Sequence, residues 1–310
     1  MSTGESTDRL EAQAGGGHLA SGLAAMGTLR WVVADLALPL DEVRRRLDLS
    51  PVSAVALGQA LTGAVLLRRI ALKVPARLTL TIDGDGPIGR IVAESESGGG
   101  VRGLVGDPQA ETPSDGELRL AELVGEGHLS VSRETDGERY TSKVELVSGE
   151  IGLDLAHYLD QSEQIRSAVL VGVLPRPSGI AAAGGVIVEA LPGTDDEVLE
   201  QLEENLRSLE GVSRTLETGG LGALQNAVLA GFDVEILEGR PLAYACGCER
   251  EQLRRQLMTL AQDDLESLFE RDEFCDAVCA FCGESYRFSA KELMRSTQSG
   301  AEPLDRPLTT

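Results

Sequence analysis

The 310-residue sequence predicts an α+β protein with an N-terminal mixed α/β core domain, an acidic helical segment and a small cysteine-rich C-terminal module. Strand-like and helix-like hydrophobic periods alternate over residues 29–190, which predicts the core domain. An acidic stretch with a leucine stripe follows over 194–216, and four of the five cysteines then occur as two short pairs. With 42% hydrophobic residues, a chain of this length can bury one sizeable core and append smaller modules.

The N-terminal part contains one segment without folding signals, followed by one strand and two helices. Residues 1–25 carry three consecutive glycines and scattered Ser, Thr and Glu, so we predict a disordered extension. The β-rich run Arg30-Trp31-Val32-Val33 predicts a strand. Asp41 is a candidate N-cap of the first helix, and the apolar segment 53–67 predicts a second, largely buried helix.

Residues 77–94 show the pattern of an antiparallel hairpin. Two segments of alternating apolar residues, 77–82 and 89–94, flank an Asp-Gly-Asp-Gly-Pro turn. The turn also matches a dinucleotide-binding glycine motif and part of a calcium loop. However, it joins strand to strand, and Pro87 and Ile88 stand where a calcium loop needs a ligand and a glycine. We therefore interpret these residues as turn chemistry.

The second half of the core domain is predicted from four patterned segments. Residues 140–146 read as a strand, 151–159 as an amphipathic helix, and 168–174 and 185–190 as buried strands. Pro192-Gly193 then ends the domain.

Residues 194–216 predict an acidic helix with seven acidic and two basic residues. Four leucines lie on one helical face: Leu199, Leu202, Leu206 and Leu209. An ordinary solvated helix lying on a core explains this pattern. Its position between the core domain and a cysteine-rich module favours a second interpretation, a helix whose stability depends on docking its leucine stripe, and loss of an adjacent support would release such a helix.

The cysteine pairs predict a zinc site. Cys246 and Cys248 form a C-x-C pair, and Cys279 and Cys282 form a C-x-x-C pair. Zn²⁺ favours four tetrahedral thiolates, and each short pair supplies two sulfurs from one turn of backbone. We therefore predict that the four cysteines bind one Zn²⁺ ion per chain. The 30 residues between Cys248 and Cys279 need structure of their own.

A redox switch is the alternative that the spacing leaves open beside a purely structural zinc site. A disulfide within the C-x-C pair closes a very small ring, and strained disulfides are the labile, regulatory ones. Zinc-bound thiolates are the form that peroxide or hypochlorous acid attacks, and two disulfides remove every ligand at once. Zinc binding contributes on the order of 10–16 kcal/mol to the folding of small modules, so metal loss becomes an unfolding event.

Cys275 stands apart from the two pairs. It lies four residues before Cys279 in a stretch that alternates like a strand. In an extended chain the two residues are about 13 Å apart at ~3.3 Å per residue, too far to share an ion. We interpret Cys275 as a packed or exposed bystander rather than a ligand or a resolving thiol.

Composition argues against several classes of partner. The net charge of −22 repels phosphate backbones and anionic lipid, so neither nucleic acid nor a membrane is expected as a general partner. No run of eighteen apolar residues occurs, and the N-terminus lacks the charged and apolar regions of a secretory signal. Paired cysteines in such a chain predict a reducing, cytoplasmic location.

The sequence does not predict an enzyme. His18, His128 and His157 are scattered, with His18 in the predicted disordered extension, and neither G-x-S-x-G nor a Walker motif occurs. The H-x-E and P-C-x-x-C elements of a zinc deaminase are also missing. Four thiolates fill every position around the ion, which makes the site closed and structural.

Further motifs are spread over residues 29–293. They are Leu49-Ser50-Pro51, Ala56-Leu57-Gly58, Gly84-Asp85-Gly86-Pro87, Val101-Arg102-Gly103, Gly149-Glu150-Ile151, Tyr158, Gln161-Ser162-Glu163-Gln164, Ala183-Gly184-Gly185 and Leu191-Pro192. The most specific part is the two cysteine pairs at this spacing, with Phe281 inside the second pair and Tyr286-Arg287-Phe288 after it. With these motifs the chain resembles the heat-shock protein 33 family, the redox-regulated bacterial chaperones also called 33 kDa chaperonins. The N-terminal extension, Cys275, Gln59 and the tail after Met294 depart from the family pattern.

The resemblance implies an ATP-independent holdase that is inactive when reduced and zinc-bound. Cys246, Cys248, Cys279 and Cys282 would be the zinc ligands, and oxidation would pair Cys246 with Cys248 and Cys279 with Cys282. Zinc release would then unfold a metastable linker, expose apolar surface and favour a homodimer. The partners would be unfolded or partly unfolded client proteins under oxidative stress.

With this family pattern the chain divides into five parts. They are the disordered extension (1–25), the α/β core domain (26–193), the acidic helical linker (194–242), the zinc-binding redox-switch domain (243–293) and a flexible tail (294–310). Two other function classes remain open from the residues alone. One is a constitutive zinc-stabilised binding adaptor without redox control. The other is a thiol oxidoreductase, which four thiolates tied to one metal disfavour.

Overall fold

A computed structural model of the chain describes residues 16–72, 76–112, 118–135, 137–270 and 272–294. The chain forms two compact units, the first ending at Cys246 and the second beginning at Gly247. The first unit contains a ten-stranded sheet, and the second contains a two-stranded sheet. The predicted α+β class is confirmed.

The strands are β1 (Gly17–Ala24), β2 (Leu29–Asp35), β3 (Arg77–Gly84), β4 (Arg90–Ser95), β5 (Gly100–Val105), β6 (Gly127–Thr135), β7 (Glu138–Glu145), β8 (Ser167–Arg176), β9 (Gly179–Ala190), β10 (Val234–Tyr244), β11 (Phe274–Val278) and β12 (Ser285–Ser289). The helices are α1 (Ala37–Leu47), α2 (Pro51–Ala71), α3 (Leu120–Val124), α4 (Ile151–Tyr158, continued by a π-helical turn Leu159–Glu163), α5 (Asp196–Arg207), α6 (Val212–Val228), α7 (Arg250–Leu257), α8 (Gln262–Ser267) and α9 (Ala290–Met294).

The large sheet has the strand order β7-β6-β3-β4-β5-β10-β1-β2-β9-β8. Neighbouring strands of this sheet pair antiparallel, with one exception. Strands β10 and β5 are parallel, with Ala243 opposite Gly100 and Tyr244 opposite Val101. Strand β10 therefore joins a half built from β3–β7 to a half built from β1, β2, β8 and β9.

Helix α2 forms the centre of the main core. The Ser50 side chain caps it by accepting a hydrogen bond from the Ser53 backbone N–H at 3.1 Å, and Pro51 occupies its first position. The helix has the length and composition of a membrane span, but 83% of that window is buried inside the protein. Its residues pack with apolar side chains of the sheet and of α4, as expected of a core helix.

Strand β2 shows that both faces of its part of the sheet are apolar. Val32 and Ala34 belong to the core around α2. Trp31 and Val33 belong to a second apolar layer, which α5 and α6 cover. Alternate side chains of a strand point to opposite faces, so one strand serves both layers. We call this second set of packed side chains the linker layer; its buried members are Ala20, Ala24, Ala25, Leu29, Trp31, Val33, Ala182, Val186, Val188, Leu202, Val212, Leu216, Leu221, Leu224, Val228 and Leu229.

The strongly patterned segments form the predicted elements. The strand over 30–33 is part of β2, the helix over 53–67 is α2, and the hairpin over 77–94 is β3 with β4. The later predictions correspond to β7, α4, β8 and β9.

The prediction of disorder over residues 1–25 is wrong where the structure describes them. Gly17–Ala24 forms β1, which lies between β2 and β10 and carries His18. A Cβ added to Gly22 would lie 1.8 Å from the backbone oxygen of Glu235, so the small residues of this segment allow close strand packing. Residues 1–15 lie outside the described residues.

Asp41 does not cap a helix, because α1 begins four residues earlier, at Ala37. The Asp35 side chain instead accepts a hydrogen bond from the Ala37 N–H at 2.9 Å. Asp41 lies inside the helix and accepts from Arg44 Nε at 2.9 Å.

The predicted helical linker over 194–242 needs one correction. It contains α5 and α6, but Val234–Tyr244 is β10, an interior strand of the large sheet. Its alternating charged residues hide the strand signal, and its place comes from backbone pairing with β1. The other predicted domain boundaries stay predictions, and 295–310 lie outside the described residues.

Candidate metal centre

Two short segments carry the four paired cysteines. Cys246 and Cys248 lie in the irregular stretch between β10 and α7, and Cys279 and Cys282 lie in the turn between β11 and β12. In that turn the Cys279 carbonyl accepts hydrogen bonds from the N–H groups of Cys282 at 3.3 Å and Gly283 at 2.8 Å. The tight turn gives the second pair the local geometry that the C-x-x-C spacing predicts.

The four sulfurs fit a tetrahedral metal site. The Sγ atoms of Cys246, Cys248, Cys279 and Cys282 all lie within 4.8 Å of one another. With Zn–S bonds of ~2.3 Å, a tetrahedral site has sulfurs about 3.8 Å apart. The Cys248 and Cys282 sulfurs are 3.3 Å apart, well beyond the ~2.05 Å of a disulfide bond. Within the described ranges, no other group of three or more His, Cys, Asp or Glu residues is placed to hold a metal ion.

The two cysteine pairs differ in their solvent exposure. Cys279 and Cys282 are buried, whereas Cys246 and Cys248 are half-buried. Burial raises the pKa of the Cys279 thiol, because a thiolate loses its hydration there. A bound Zn²⁺ reverses this preference, since its charge stabilises coordinated thiolates.

Tyr286 contacts the site from β12. Its hydroxyl donates to the Cys248 carbonyl oxygen at 3.3 Å and lies 3.5 Å from Cys248 Sγ. The contact with Cys248 is the main cause that raises the pKa of Tyr286 to about 12, so the hydroxyl keeps its proton at neutral pH. The spacing of the cysteines does not predict that Tyr286 contacts the site. In the sequence, Tyr286 stands out only as part of a motif shared with a family.

The second unit has a small apolar core around the cysteine turn. Its buried side chains are Leu253, Leu265, Phe288 and Leu293, together with the two buried cysteines. Arg250 stacks on the Phe288 ring at 4.4 Å and donates to the Arg287 carbonyl at 2.8 Å, which ties α7 to β12. A core with so few buried side chains in the described part of the unit needs a further crosslink for its stability.

Cys275 lies outside the four-cysteine group. It faces Phe288 across the β11–β12 pair and packs partly buried against the small core. Burial and then the neighbouring Asp276 carboxylate raise the pKa of its thiol. A raised pKa keeps the thiol protonated and poorly reactive, which favours the bystander interpretation.

Replacing Cys275 by serine is expected to leave zinc content unchanged and to lower stability slightly. The substitution exchanges a partly buried thiol for a hydroxyl, a change of about 1 kcal/mol or less. Zinc per chain and the thermal midpoint of the purified variant check this. A loss of half or more of the zinc would identify Cys275 as part of the site.

The three histidines do not join the cysteines. His18 lies on β1, His128 on β6 and His157 on α4. The potential metal group in the described residues consists of cysteine sulfurs alone.

Comparison with known proteins gives consistent matches over nearly the whole chain. A family model described as Hsp33 protein matches residues 17–289. A 33 kDa chaperonin from Thermus thermophilus is 45% identical over 291 residues, covering 89% of this chain and 85% of that protein. A 33 kDa chaperonin from Desulforamulus reducens is 38% identical over 283 residues, covering 90% and 96%.

A solved structure agrees with these matches. The crystal structure of a 33 kDa chaperonin, a heat shock protein 33 homologue from Thermotoga maritima, superposes with a TM-score of 0.84. The two chains are 32% identical, and the superposition covers 92% of this chain and 98% of the other.

Proposed function

Because the chain belongs to the Hsp33 family, whose curated relatives are named 33 kDa chaperonins, we propose that it is a redox-regulated, ATP-independent holdase. It is inactive when reduced and zinc-bound, and oxidation activates it to hold unfolding proteins. The observation that carries the proposal is the convergence of four thiols within 4.8 Å.

The proposed resting state holds one Zn²⁺ through Cys246, Cys248, Cys279 and Cys282. When bound, the ion crosslinks the two cysteine segments and keeps their sulfurs as thiolates. The donor set supports this assignment, since four thiolates select zinc and leave no open position for substrate.

Oxidation converts the four thiolates to two disulfides, proposed to be Cys246–Cys248 and Cys279–Cys282. Formation of each disulfide removes two electrons from a pair of thiolates, so two molecules of hydrogen peroxide accept the four electrons and, with four protons from solvent, leave as four molecules of water. Every metal ligand is consumed in this step, and the small core of the second unit loses its crosslink. A reducing cytoplasm keeps the resting form until an oxidant appears.

The linker layer is the proposed client surface. Helices α5 and α6 cover apolar side chains of β1, β2 and β9, among them Trp31, Val33 and Val188, each at most 1% exposed. Undocking of the two helices exposes this sheet face together with their own leucines. Unfolding proteins expose apolar segments, so a broad apolar face binds them without a sequence motif. Two such faces would also support the proposed homodimer of the oxidised form.

Two features support the proposal that these helices are held weakly. Helix α5 is mostly exposed and acidic, so its docking depends on a few apolar residues such as Leu202. Helix α6 is broken at Gly220, whose φ of 66° lies in the left-handed region.

One polar contact joins helix α5 to the end of helix α6. The Asn205 side chain donates to the carbonyl oxygens of Val228 and Ala230 at 3.0 and 2.9 Å.

The order of elements along the chain supports coupling between the cysteines and helices α5 and α6, which we call the linker helices. Helix α6 leads through a short turn into β10, and Cys246 follows the end of β10 by two residues. Unfolding that begins at the cysteines would therefore reach β10 first. The pairing of β10 with β5 is short, with Ala243 opposite Gly100 and Tyr244 opposite Val101, whereas its pairing with β1 covers eight residues.

The test uses the single tryptophan of the chain, Trp31. It is buried in the linker layer and donates its indole N–H to the Leu23 carbonyl oxygen at 3.1 Å. After peroxide at mildly elevated temperature, we expect loss of one zinc and four thiols, a red shift of Trp31 emission and severalfold stronger acrylamide quenching. The same oxidised sample, and not the reduced one, suppresses aggregation of a thermally unfolding client.

Equal client protection by reduced and oxidised protein would contradict the switch. Zinc retained after peroxide with Trp31 still buried would instead indicate the constitutive zinc-stabilised adaptor. Peptide mapping tests the disulfides separately. Because Cys248 and Cys282 have sulfurs 3.3 Å apart, a Cys248–Cys282 crosslink is the product that would contradict the proposed pairing.

A further inference from the structure

A row of polar side chains runs over three neighbouring strands of the large sheet and ends at Cys246. Thr79 on β3 lies opposite Glu94 on β4, and Glu94 lies opposite Arg102 on β5. Thr79 Oγ1 donates to Glu94 Oε1 at 3.4 Å, and Arg102 Nε donates to Glu94 Oε2 at 2.7 Å. Arg102 Nη1 then lies 4.0 Å from Cys246 Sγ.

Backbone pairing fixes the last step of this row. Tyr244 pairs with Val101, and the Ala245 N–H donates to the Val101 carbonyl oxygen at 2.9 Å. The chain therefore continues alongside β5 up to the residue before Cys246. Continued by one residue, this register brings Ala245 opposite Arg102, so Cys246 is the residue that directly follows.

Arg102 is held in place by burial and by its carboxylate partner. Its side chain is 14% exposed and that of Glu94 is 12% exposed. Burial is the largest single influence and lowers the pKa of Arg102, but the interactions with Glu94 and Cys246 together outweigh it, so the pKa of Arg102 is raised. The guanidinium is a planar fork, so one edge can bind Glu94 while another nitrogen points to the sulfur.

A zinc ion bound by four thiolates is negatively charged, and the Arg102 guanidinium lies next to one of these sulfurs. One Zn²⁺ with four thiolates has a net charge of −2, in a chain whose net charge is −22. Three arginines of the second unit form ion pairs with carboxylates of that unit: Arg250–Glu292, Arg254–Glu251 and Arg287–Asp276. Arg102 instead directs one edge toward a sulfur of the site, where burial strengthens the interaction.

We propose that Arg102, clamped by Glu94, is a positioning residue that fixes Cys246 and supplies a counter-charge to the zinc-thiolate group, so that it slows zinc release. The inference rests on the proposed zinc site, and it assigns to a residue of the core domain an effect on the rate of zinc release. Arg102 thereby sets how readily the resting form opens before any oxidant acts.

The test measures zinc transfer from the reduced full-length chain to the chromogenic chelator 4-(2-pyridylazo)resorcinol, without oxidant. R102Q is expected to release zinc about tenfold faster, because it loses a charge interaction at 4 Å in a partly buried place. R102K keeps the charge and should release zinc at a rate much closer to wild type. E94Q keeps the guanidinium but weakens its clamp, so a smaller acceleration is expected.

Arg77 provides the matched control. It forms an exposed ion pair with Glu96 at 2.7 Å, and R77Q removes an arginine side chain that pairs with this carboxylate rather than with a cysteine sulfur. Unchanged Trp31 emission and far-UV circular dichroism show that each variant keeps its fold.

Zinc release from R102Q at the R77Q rate would overturn the inference while leaving the proposed function intact. Release from R102K as fast as from R102Q would overturn the counter-charge role. Should R102Q fail to fold, an E94Q rate equal to wild type would count against the inference, and a faster one would support it. A reduced wild-type chain that holds no zinc would overturn both this inference and the proposed metal site.

Discussion

Replacing Cys279 by serine is expected to abolish zinc binding and to unfold residues 247–294. Cys279 is buried in the turn between β11 and β12, and its sulfur is one of the four that lie within 4.8 Å of one another. Zinc binding contributes on the order of 10–16 kcal/mol to small structural modules, and three thiolates retain only part of it. Among residues 247–270 and 272–294, the core of this unit has four buried apolar side chains besides the cysteines, too few to fold the unit alone.

Three measurements check this expectation. Zinc per chain should fall close to zero, the helical signal of α7 and α8 should disappear, and limited proteolysis should cut within residues 247–294. Because the proposed function couples this unit to the linker helices, C279S should also protect a client without oxidant. C275S is the matched control, since it changes the same residue type in the same unit, outside the group. A C279S chain that keeps one zinc and resists protease would contradict the ligand assignment.

Replacing Leu224 by glutamate is expected to make the reduced, zinc-loaded chain active. Leu224 lies on α6, is 0% exposed and packs in the linker layer. Burial of a carboxylate there costs on the order of 3 kcal/mol or more. That cost shifts the ratio of docked to released helix by ~100-fold. Release exposes the sheet face without touching any cysteine.

N226E is the matched control for this substitution. Asn226 lies on the same helix but is exposed, so the same new side chain stays in water. Zinc content should be unchanged in both variants. L224E should show quenchable Trp31 fluorescence and suppress client aggregation while reduced, and N226E should show neither. Accessible Trp31 in L224E without any client protection would refute the linker layer as the client surface.

A milder substitution at the same interface gives an independent check of its geometry. A Cβ added to Gly172 on β8 would lie 3.1 Å from the Ser213 backbone nitrogen and 3.2 Å from Val212 Cβ, both on α6. G172A therefore presses on the start of the helix and should produce weaker activation than L224E, in the same direction.

The sequence by itself determined the elements whose signals are local. Ser50-Pro51 followed by an apolar run defines α2, and alternation around an Asp-Gly turn defines the β3–β4 hairpin. The two cysteine pairs likewise identify a candidate zinc site, because each pair supplies its sulfurs from one turn of backbone.

Only the tertiary structure decided the features that depend on partners distant in sequence. The glycines of β1 are typical of a disordered segment, and only the packing of Glu235 against Gly22 shows why a strand needs them. Strand β10 carries charged residues at alternate positions, and its interior position is set by backbone pairing with β1 and by burial of Leu242. The approach of Arg102 to Cys246, 144 residues away, follows from the register of β5 with β10. A hydrophobic pattern reflects the local structure of one segment. Strand order and register depend instead on which distant segments pair across the sheet.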